Sequence, residues 1–478
     1  MQSPHYRTRR EFLATSALGM GSVALAALLR DEQLLAAPHI PRIGRAFDLS
    51  AKPPHAPPKA QAMISLFMHG GPSHVDLLDP KPELTRHDGT DYQGDITYSF
   101  KNRASKKLLG SPWKFAKHGQ CGTEVSELLP HLAGIVDDVA VIRSMHTDIN
   151  GHEPSIWFMN TGKAQPGRPS LGAWMTYALG SETQDLPAYV VLSDPGGHPV
   201  DGVRNWSNGW LPPLYQGTVV RPTEPRILNL DPPEHLRGLR QQQNLELLSD
   251  LNRMHLERHP GENDLEARIV SYELAARMQS AAKEALDISS ESEATRKLYG
   301  LDDDATAEYG TRCLIARRLV ERGVRFVQLF LGGQPWDNHN NIRETLPAIC
   351  RRTDKPSAAL VTDLKQRGLL DTTLVHWGGE IGRLPVTEGE GDKCGRDHNG
   401  QGYSMWLAGG GIRGGITYGQ TDEFGHRAAV DPVTPNDYQA TLLHLFGMDH
   451  TQLSFHYNGQ DQKLTDNRPC RVVNEWLA

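Results

Sequence analysis

The chain has 478 residues, of which 38% are hydrophobic and 22% are charged, and its formal net charge at pH 7 is -7. This composition excludes disorder along the whole chain, and the length suffices for one large core or two smaller ones. The mild acidic excess argues against a nucleic-acid partner. The five cysteines form no Cys-x-x-Cys pair, which argues against a disulfide framework and against a zinc site built from thiolates.

The N-terminus has the pattern of an export signal. The basic run TRREFL at residues 8–13 precedes a short apolar segment rich in Gly, Ala and Ser. It resembles a bacterial twin-arginine signal over residues 1–37, which implies the twin-arginine (Tat) translocation machinery as a partner and a periplasmic or secreted location. Because the apolar run is short, no stable membrane span is expected in the mature protein. The Pro-rich residues 38–60 predict an extended linker.

Six short apolar runs within residues 61–478 have the composition of buried parallel strands. Helical patterns separate them, so we predict one α/β domain with a doubly wound, mostly parallel sheet and helices on both faces. A helical insertion is expected at about 226–320, where it could cover a site or mediate assembly. An apolar stripe in it, Leu245, Leu248, Leu251 and Met254, is predicted to face the core. The predicted strands are Ala62–Met68, Val139–Ile142, Tyr189–Leu192, Val324–Leu331, Thr373–Trp377 and Met405–Ala408.

Polar side chains are concentrated where these strands end. The loops HGGPSHVD, RSMHTDINGHEPS, GGQPWDNHNN and GGEIGR each follow a predicted strand, and CGRDHNGQG precedes the last one. Because ligands of open parallel sheets bind at the carboxyl ends of the strands, we expect these loops to meet at one edge. Imidazole and carboxylate groups together suit divalent metal ions. The sequence therefore predicts a metal centre, with Asp337, His339, Glu380 and His398 among its ligands.

The same stretches carry a family resemblance. MHGGPSHVDLLDPKPEL, WDNHNN, GGEIGR, GRDHNGQGYSMWLAGGGIRGG and TDEFGHRAAVDPVTPNDYQATLLHLFGMD resemble the exported proteins grouped as domain-of-unknown-function family 1501. Those proteins in turn resemble the alkaline phosphatase and sulfatase superfamily. The resemblance runs from about residue 60 to the C-terminus. It implies a doubly wound, alkaline-phosphatase-like α/β fold, one or two divalent metal ions (zinc, manganese, calcium or magnesium) and hydrolysis of phosphate or sulfate esters.

The resemblance implies a set of metal ligands that departs from the superfamily's pattern at two places. His69 stands before a glycine where the superfamily carries Asp, and Asp76 is a nearby substitute. Ile381 stands after Glu380 where a His is usual. The implied ligands are His69, Asp76, Asp337, His339, Glu380 and His398.

The position of the nucleophile is a further departure. GHEPSIWFMNTG resembles the sulfatase segment in which Cys or Ser, followed by x-Pro-Ser, opens a helix. Here the nucleophile position is His152, and Ser155 closes the loop at the helix start. An imidazole can accept a phosphoryl group, but it cannot become the formylglycine of a sulfatase. His152 is therefore a phosphoryl-accepting or acid/base group, a metal ligand, or a sign that hydrolytic activity has been lost.

Three functions remain open from the sequence. The leading hypothesis is an exported metal-dependent hydrolase acting on a small-molecule or polysaccharide ester, with His152 and Ser155 as catalytic residues. The alternative is a catalytically inactive, exported protein of the same fold that binds a metal or ligand. A serine hydrolase using Ser73 and His74 is the weakest hypothesis, because GGPSH lacks the second glycine of a nucleophile elbow.

Overall fold

The computed structural model describes residues 48–99, 105–259, 263–389 and 391–478. The predicted export signal and the first part of the predicted linker lie outside these residues. Residues 48–60 contain no helix or strand, but backbone N–H groups of Lys52 and Ala60 donate to the carbonyls of Leu179 and Leu445. Among the described residues, no helix combines the length and the apolar character that a membrane crossing requires.

An eight-stranded sheet forms the centre of the fold, in the order β12-β4-β11-β8-β1-β7-β5-β6. All six predicted strands belong to it, because their runs of apolar residues are buried on both faces. The remaining strands form two-stranded ribbons. The strands are β1 (Ala62–Phe67), β2 (Phe115–His118), β3 (Thr123–Ser126), β4 (Val139–Met145), β5 (Tyr189–Leu192), β6 (Thr218–Val220), β7 (Phe326–Phe330), β8 (Thr373–Gly378), β9 (Gly382–Arg383), β10 (His398–Asn399), β11 (Tyr403–Ala408), β12 (Ile416–Tyr418), β13 (Gln420–Thr421), β14 (Ala428–Val430), β15 (Phe455–Tyr457) and β16 (Gln460–Gln462).

The sheet is parallel except for β11, which runs antiparallel to both of its neighbours, β4 and β8. At the centre, β1 pairs in parallel with β7 and with β8, so that Ile64 lies between Val327 and Val375. The reversal of β11 has a consequence for the site. The residues that precede β11 therefore lie at the same edge of the sheet as the residues that follow β4 and β8.

Helices cover both faces of the sheet, which confirms the predicted doubly wound α/β class. Ile64 and Leu66 pack with α9 and α10 on one face, while Met63 and Phe67 pack with α4, α5 and α11 on the other. The helices are α1 (His74–Leu77), α2 (Pro82–Arg86), α3 (Pro130–Ala133), α4 (His152–Thr161), α5 (Leu171–Leu179), α6 (Leu239–Arg258), α7 (Asn263–Leu286), α8 (Glu293–Leu298), α9 (Ala307–Glu321), α10 (Ile342–Gln366) and α11 (Pro435–Leu445).

The apolar stripe of α6 does not face the core, so that prediction is wrong. Leu248, Leu251 and Met254 are 44%, 42% and 50% exposed, and α6 has no buried residue. At about 100° per residue, each three-residue step moves a side chain about 60° around the helix. The stripe therefore spreads over half of the helix surface and cannot face one neighbour.

Candidate metal centre

Four of the predicted residues place one atom each into a single cluster at the carboxyl edge of the sheet. His152 begins α4, Asp337 and His339 lie in the loop after β7, and His398 begins β10. Their ligand atoms all lie within 4.8 Å of one another. We refer to these four residues as the central cluster.

The ligand atoms of the central cluster are almost as far apart as the ligand atoms around a bound metal ion. Asp337 Oδ1 lies 3.2 Å from His152 Nε2, 2.9 Å from His339 Nε2 and 3.2 Å from His398 Nε2. In a tetrahedral zinc site with bonds of about 2.0–2.1 Å, neighbouring ligand atoms are about 3.3–3.4 Å apart. The Asp337 side chain is 19% exposed, so the central cluster is open to solvent on that side.

Each histidine of the central cluster is oriented by an acceptor on its other nitrogen. His152 Nδ1 lies 2.7 Å from Glu380 Oε1, and His398 Nδ1 lies 2.8 Å from the carbonyl of Asn150. His339 Nδ1 contacts the carboxylate of Glu388. A carbonyl or carboxylate accepts the Nδ1–H, which leaves the Nε2 lone pair directed toward the cluster. Metal-bound histidines in proteins are held in the same way.

The two closest imidazoles show why a cation fits. His339 Nε2 and His398 Nε2 are 2.9 Å apart. With both protons on Nδ1, two lone pairs would face each other at that distance. A proton or a metal ion between the two nitrogens removes the repulsion. The donor set, with three imidazoles and one carboxylate, is suited to a divalent metal ion.

The electrostatics of the central cluster follow from burial and from charges in contact. Burial acts to raise the pKa of Asp337, but the Arg383 guanidinium and the three histidines hold it well below its usual range. Burial acts to lower the pKa of His152, but the carboxylates of Asp337 and Glu380 raise it to about 9. The carboxylate is therefore ionised at neutral pH, as a metal ligand must be, and a metal ion binding here would have to displace a proton from His152.

Two glycines allow the loops of the site to approach each other. A Cβ on Gly70, whose φ is +111°, would lie 2.6 Å from the backbone nitrogen of Asp337. A Cβ on Gly395 would lie 2.2 Å from the carbonyl carbon of His339. Any other residue would push the Asp337–His339 loop away from β1 or from the segment before β10.

Glu380 and His69, both predicted as ligands, lie beside the central cluster. The Glu380 carboxylate accepts the backbone N–H of Gly70 at 3.0 Å in addition to its contact with His152. It therefore connects the loop after β1 to the imidazole. His69 is buried, its ring lies 6.2 Å from that of His152, and its Nε2 accepts the backbone N–H of Val200 at 3.4 Å.

Asp76 and Ser155 are not brought to the central cluster. Both oxygens of Asp76 are held by Arg396, at 2.7 and 3.0 Å, and Ser73 Oγ donates to the same carboxylate. Asp76 thus neutralises a buried guanidinium. The Ser155 hydroxyl donates to the carbonyl of Ile149 at 3.4 Å, inside the turn that precedes α4. His152, predicted as the attacking group, lies among the ligand atoms instead.

Apart from Glu380, sequence reasoning missed the groups that orient the central cluster. Glu388 lies in an acidic loop whose letters resemble any solvated turn. Arg383 is fully buried, contacts Asp337 Oδ1, and donates from Nε to the carbonyl of Gly71 at 3.0 Å. Its position two residues after Ile381 gave no signal of this role. The Asn150 acceptor is a backbone carbonyl, which no side-chain pattern reveals.

A second group of possible ligands, His339, Glu388 and Asp397, shares His339 with the central cluster. The oxygens of Asp397 accept the backbone N–H groups of His398 and Ser99, at 2.7 and 2.8 Å. Asp397 Oδ1 is 4.0 Å from His339 Nδ1. Asp397 therefore anchors two backbone segments, and Glu388 orients His339 toward the central cluster.

Comparisons with solved structures return distant matches. A sulfatase from Pseudoalteromonas sp. matches at 11% identity over 94% of this chain and 77% of its own, with a TM-score of 0.36. A phosphonate monoester hydrolase from Silicibacter pomeroyi matches at 10% identity over 73% and 71%, with a TM-score of 0.34. The lipoteichoic acid synthase from Listeria monocytogenes matches at 9% identity over 84% and 76%, also with a TM-score of 0.34.

These TM-scores are too low to establish a shared fold, and the fold rests here on the strand order itself. A search of curated proteins found no match. One family model covers residues 60–477, described as a protein of unknown function, DUF1501. This range contains the whole central sheet and all four residues of the central cluster. The chain therefore belongs to the DUF1501 family.

Proposed function

We propose that this protein is a metal-dependent hydrolase of phosphate or sulfate esters that holds one metal ion in the central cluster. The observation that carries the proposal is the convergence of three Nε2 atoms and one carboxylate oxygen, each imidazole being oriented through its Nδ1. The cluster lies at the carboxyl edge of the sheet, where ligands of α/β proteins bind. The export signal predicted for residues 1–37 supports a periplasmic or secreted enzyme.

The ligand set favours one class of ion over the others considered from the sequence. Three of the four ligand atoms are imidazole nitrogens, which suit zinc, manganese and other transition ions. Calcium and magnesium prefer sets made of oxygen atoms. A bound ion of the first kind would polarise an ester oxygen and lower the pKa of a coordinated water.

The residues of the chain have separate tasks in this proposal. His152, Asp337, His339 and His398 hold the ion, and Glu380 and Glu388 fix the direction of two of the imidazoles. Arg383 keeps Asp337 ionised and ties its loop to the turn after β1. The exposed side of Asp337 gives the substrate an approach, whether the ester belongs to a small molecule or to a polysaccharide.

A second function follows from the number of ligands. His152 completes a set of four, and a closed set of four is typical of structural metal sites. The alternative is therefore a metal-binding protein without turnover. It predicts stoichiometric metal and no product from any ester, whereas the hydrolase would need room for a water molecule beside the four residues that would hold the ion.

The test combines metal analysis with an ester screen on the same sample. Protein purified without chelator should contain about one ion per chain. Chelation should abolish hydrolysis of aryl phosphates or aryl sulfates, and zinc or manganese, but not magnesium or calcium, should restore it. His339→Ala should lose both metal and activity. His456→Ala, which removes an exposed histidine paired with Asp461, should lose neither. Protein without metal contradicts both functions, and metal without turnover favours the alternative.

A further inference from the structure

We propose that the ester is cleaved by direct attack of water, with no covalent bond between substrate and chain, so that the configuration at phosphorus or sulfur is inverted. This inference rests on the proposed hydrolase function and deepens it. The sequence resemblance implies a nucleophile at the start of α4, and the observations below argue against His152 and against three serine hydroxyls in that role.

Both nitrogens of His152 face other groups of the site. Nδ1 lies 2.7 Å from Glu380 Oε1, and Nε2 faces the central cluster, 3.2 Å from Asp337 Oδ1. Nucleophilic attack by an imidazole needs a lone pair directed at the substrate. With Nδ1 donating to Glu380, the remaining lone pair is the one that holds a metal ion. His152 is therefore a ligand and not a phosphoryl acceptor.

The hydroxyls beside the site lack a base. Ser155 Oγ donates to the carbonyl of Ile149, and Ser73 Oγ donates to Asp76, whose charge Arg396 neutralises. Ser99 Oγ donates to the carbonyl of Asn150 at 3.2 Å. A serine becomes a nucleophile when a neighbouring base accepts its proton or a metal ion binds its oxygen. Each of these three hydroxyls instead donates to a group outside the four residues of the central cluster. Within the described residues around the central cluster, none of these three hydroxyls is prepared for attack.

The bond changes balance with water alone. The water oxygen forms a bond to phosphorus, and the bond from phosphorus to the alcohol oxygen breaks. The electron pair of that bond leaves with the alcohol oxygen, which takes up a proton from solvent, while the attacking water loses a proton to solvent. The products are inorganic phosphate and an alcohol. One displacement inverts the configuration once, whereas a covalent intermediate requires two displacements and retains it.

A phosphorothioate monoester made chiral at phosphorus with two oxygen isotopes, and hydrolysed in water enriched in the third isotope, distinguishes the two routes. The product thiophosphate is chiral because it carries one sulfur and three different oxygen isotopes. Inversion in the product supports the inference. Retention overturns it and leaves the hydrolase function intact. Failure to hydrolyse any ester overturns the proposed function, and the inference with it.

Metal content and protein mass give readouts that do not depend on turnover by the loaded enzyme. His152→Ala should bind zinc at least about 100-fold more weakly, because it removes a ligand and not only the group that orients one. Ser155→Ala should keep both its metal and its hydrolysis. During turnover, protein quenched in alkaline denaturant, which preserves phosphohistidine, should show no added phosphoryl mass. The inference is overturned if His152→Ala keeps full zinc affinity, if Ser155→Ala abolishes hydrolysis with metal retained, or if a phosphoryl adduct accumulates.

Discussion

Replacing Asp76 with Asn separates a structural carboxylate from a metal ligand. Asp76 and Arg396 are both fully buried, and they form two bonds, of 2.7 and 3.0 Å. Removal of one partner of a buried ion pair leaves the other charge uncompensated, which costs about 3–5 kcal/mol. With an unfolding entropy near 2 cal/mol/K per residue, a domain of this size should lose about 3–6 °C in Tm. The metal content should stay at about one ion per chain, because Asp76 lies outside the central cluster.

Calorimetry and elemental analysis of the same preparation measure both quantities. The double variant Asp76→Leu/Arg396→Met is the matched control, since it removes both charges. It should recover part of the lost stability, although the carbonyls of Leu384 and Leu109 lose their Arg396 donors. An Asp76→Asn variant that unfolds at the wild-type temperature but has lost its metal would refute the reasoning and restore Asp76 to the ligand set.

Three further predictions concern other parts of the molecule. Glu388→Gln should weaken zinc affinity by about 10–100-fold, because the acceptor of His339 Nδ1 loses its charge; titration with a competing chelator measures this, and an unchanged affinity would remove Glu388 from the site. Burial raises the pKa of Asp354 to about 6, so the folded chain binds this proton more tightly than the unfolded chain. As the pH falls from 6 to 4, the free energy of unfolding of the wild type should therefore rise by up to about 3 kcal/mol relative to that of Asp354→Asn. Urea unfolding measures both pH profiles, and parallel profiles would contradict this prediction. Gly162→Ala should lower the free energy of unfolding by at least about 2 kcal/mol, because φ at Gly162 is +76° and the new Cβ would lie 1.8 Å from the carbonyl oxygen of Leu464. Gly167→Ala is the control for backbone strain alone, because φ at Gly167 is +88° and a Cβ there would meet nothing within 4 Å. If both variants lose the same free energy of unfolding, the clash at Gly162 does not contribute and the prediction is wrong.

The architecture was predictable because its signals are local. Runs rich in Val, Ile and Leu that are followed by Gly or polar turns marked the six strands, and helical patterns between them implied the crossovers of an α/β sheet. The direction of β11 was not predictable, because a strand buried on both faces reads the same in either direction. Its reversal nevertheless explains why His398, which precedes a strand, joins residues that follow strands.

The candidate site was predictable as a set of residues but not as a set of roles. Strand-end loops identified the histidines and carboxylates that meet at the sheet edge. Whether a carboxylate contacts an ion, orients an imidazole or neutralises an arginine depends on partners far along the chain. Glu380 contacts His152, and Asp76 contacts Arg396, through pairings that no local pattern contains. The apolar stripe of α6 is similar, because its spacing alone predicted contact with the core, whereas the stripe is exposed.

The orienting bonds of the three histidines mean that the site is preorganised. Glu380, Glu388 and the Asn150 carbonyl restrict the rotation of three imidazole rings before any ion arrives. The binding of an ion therefore costs little side-chain conformational entropy, so more of the interaction energy appears as affinity. Folding without an ion is less favourable in return, because it must hold three imidazoles, with the proton on His152, beside one carboxylate in a partly dehydrated space. Loss of the ion should therefore leave the backbone in place while making the chain easier to unfold.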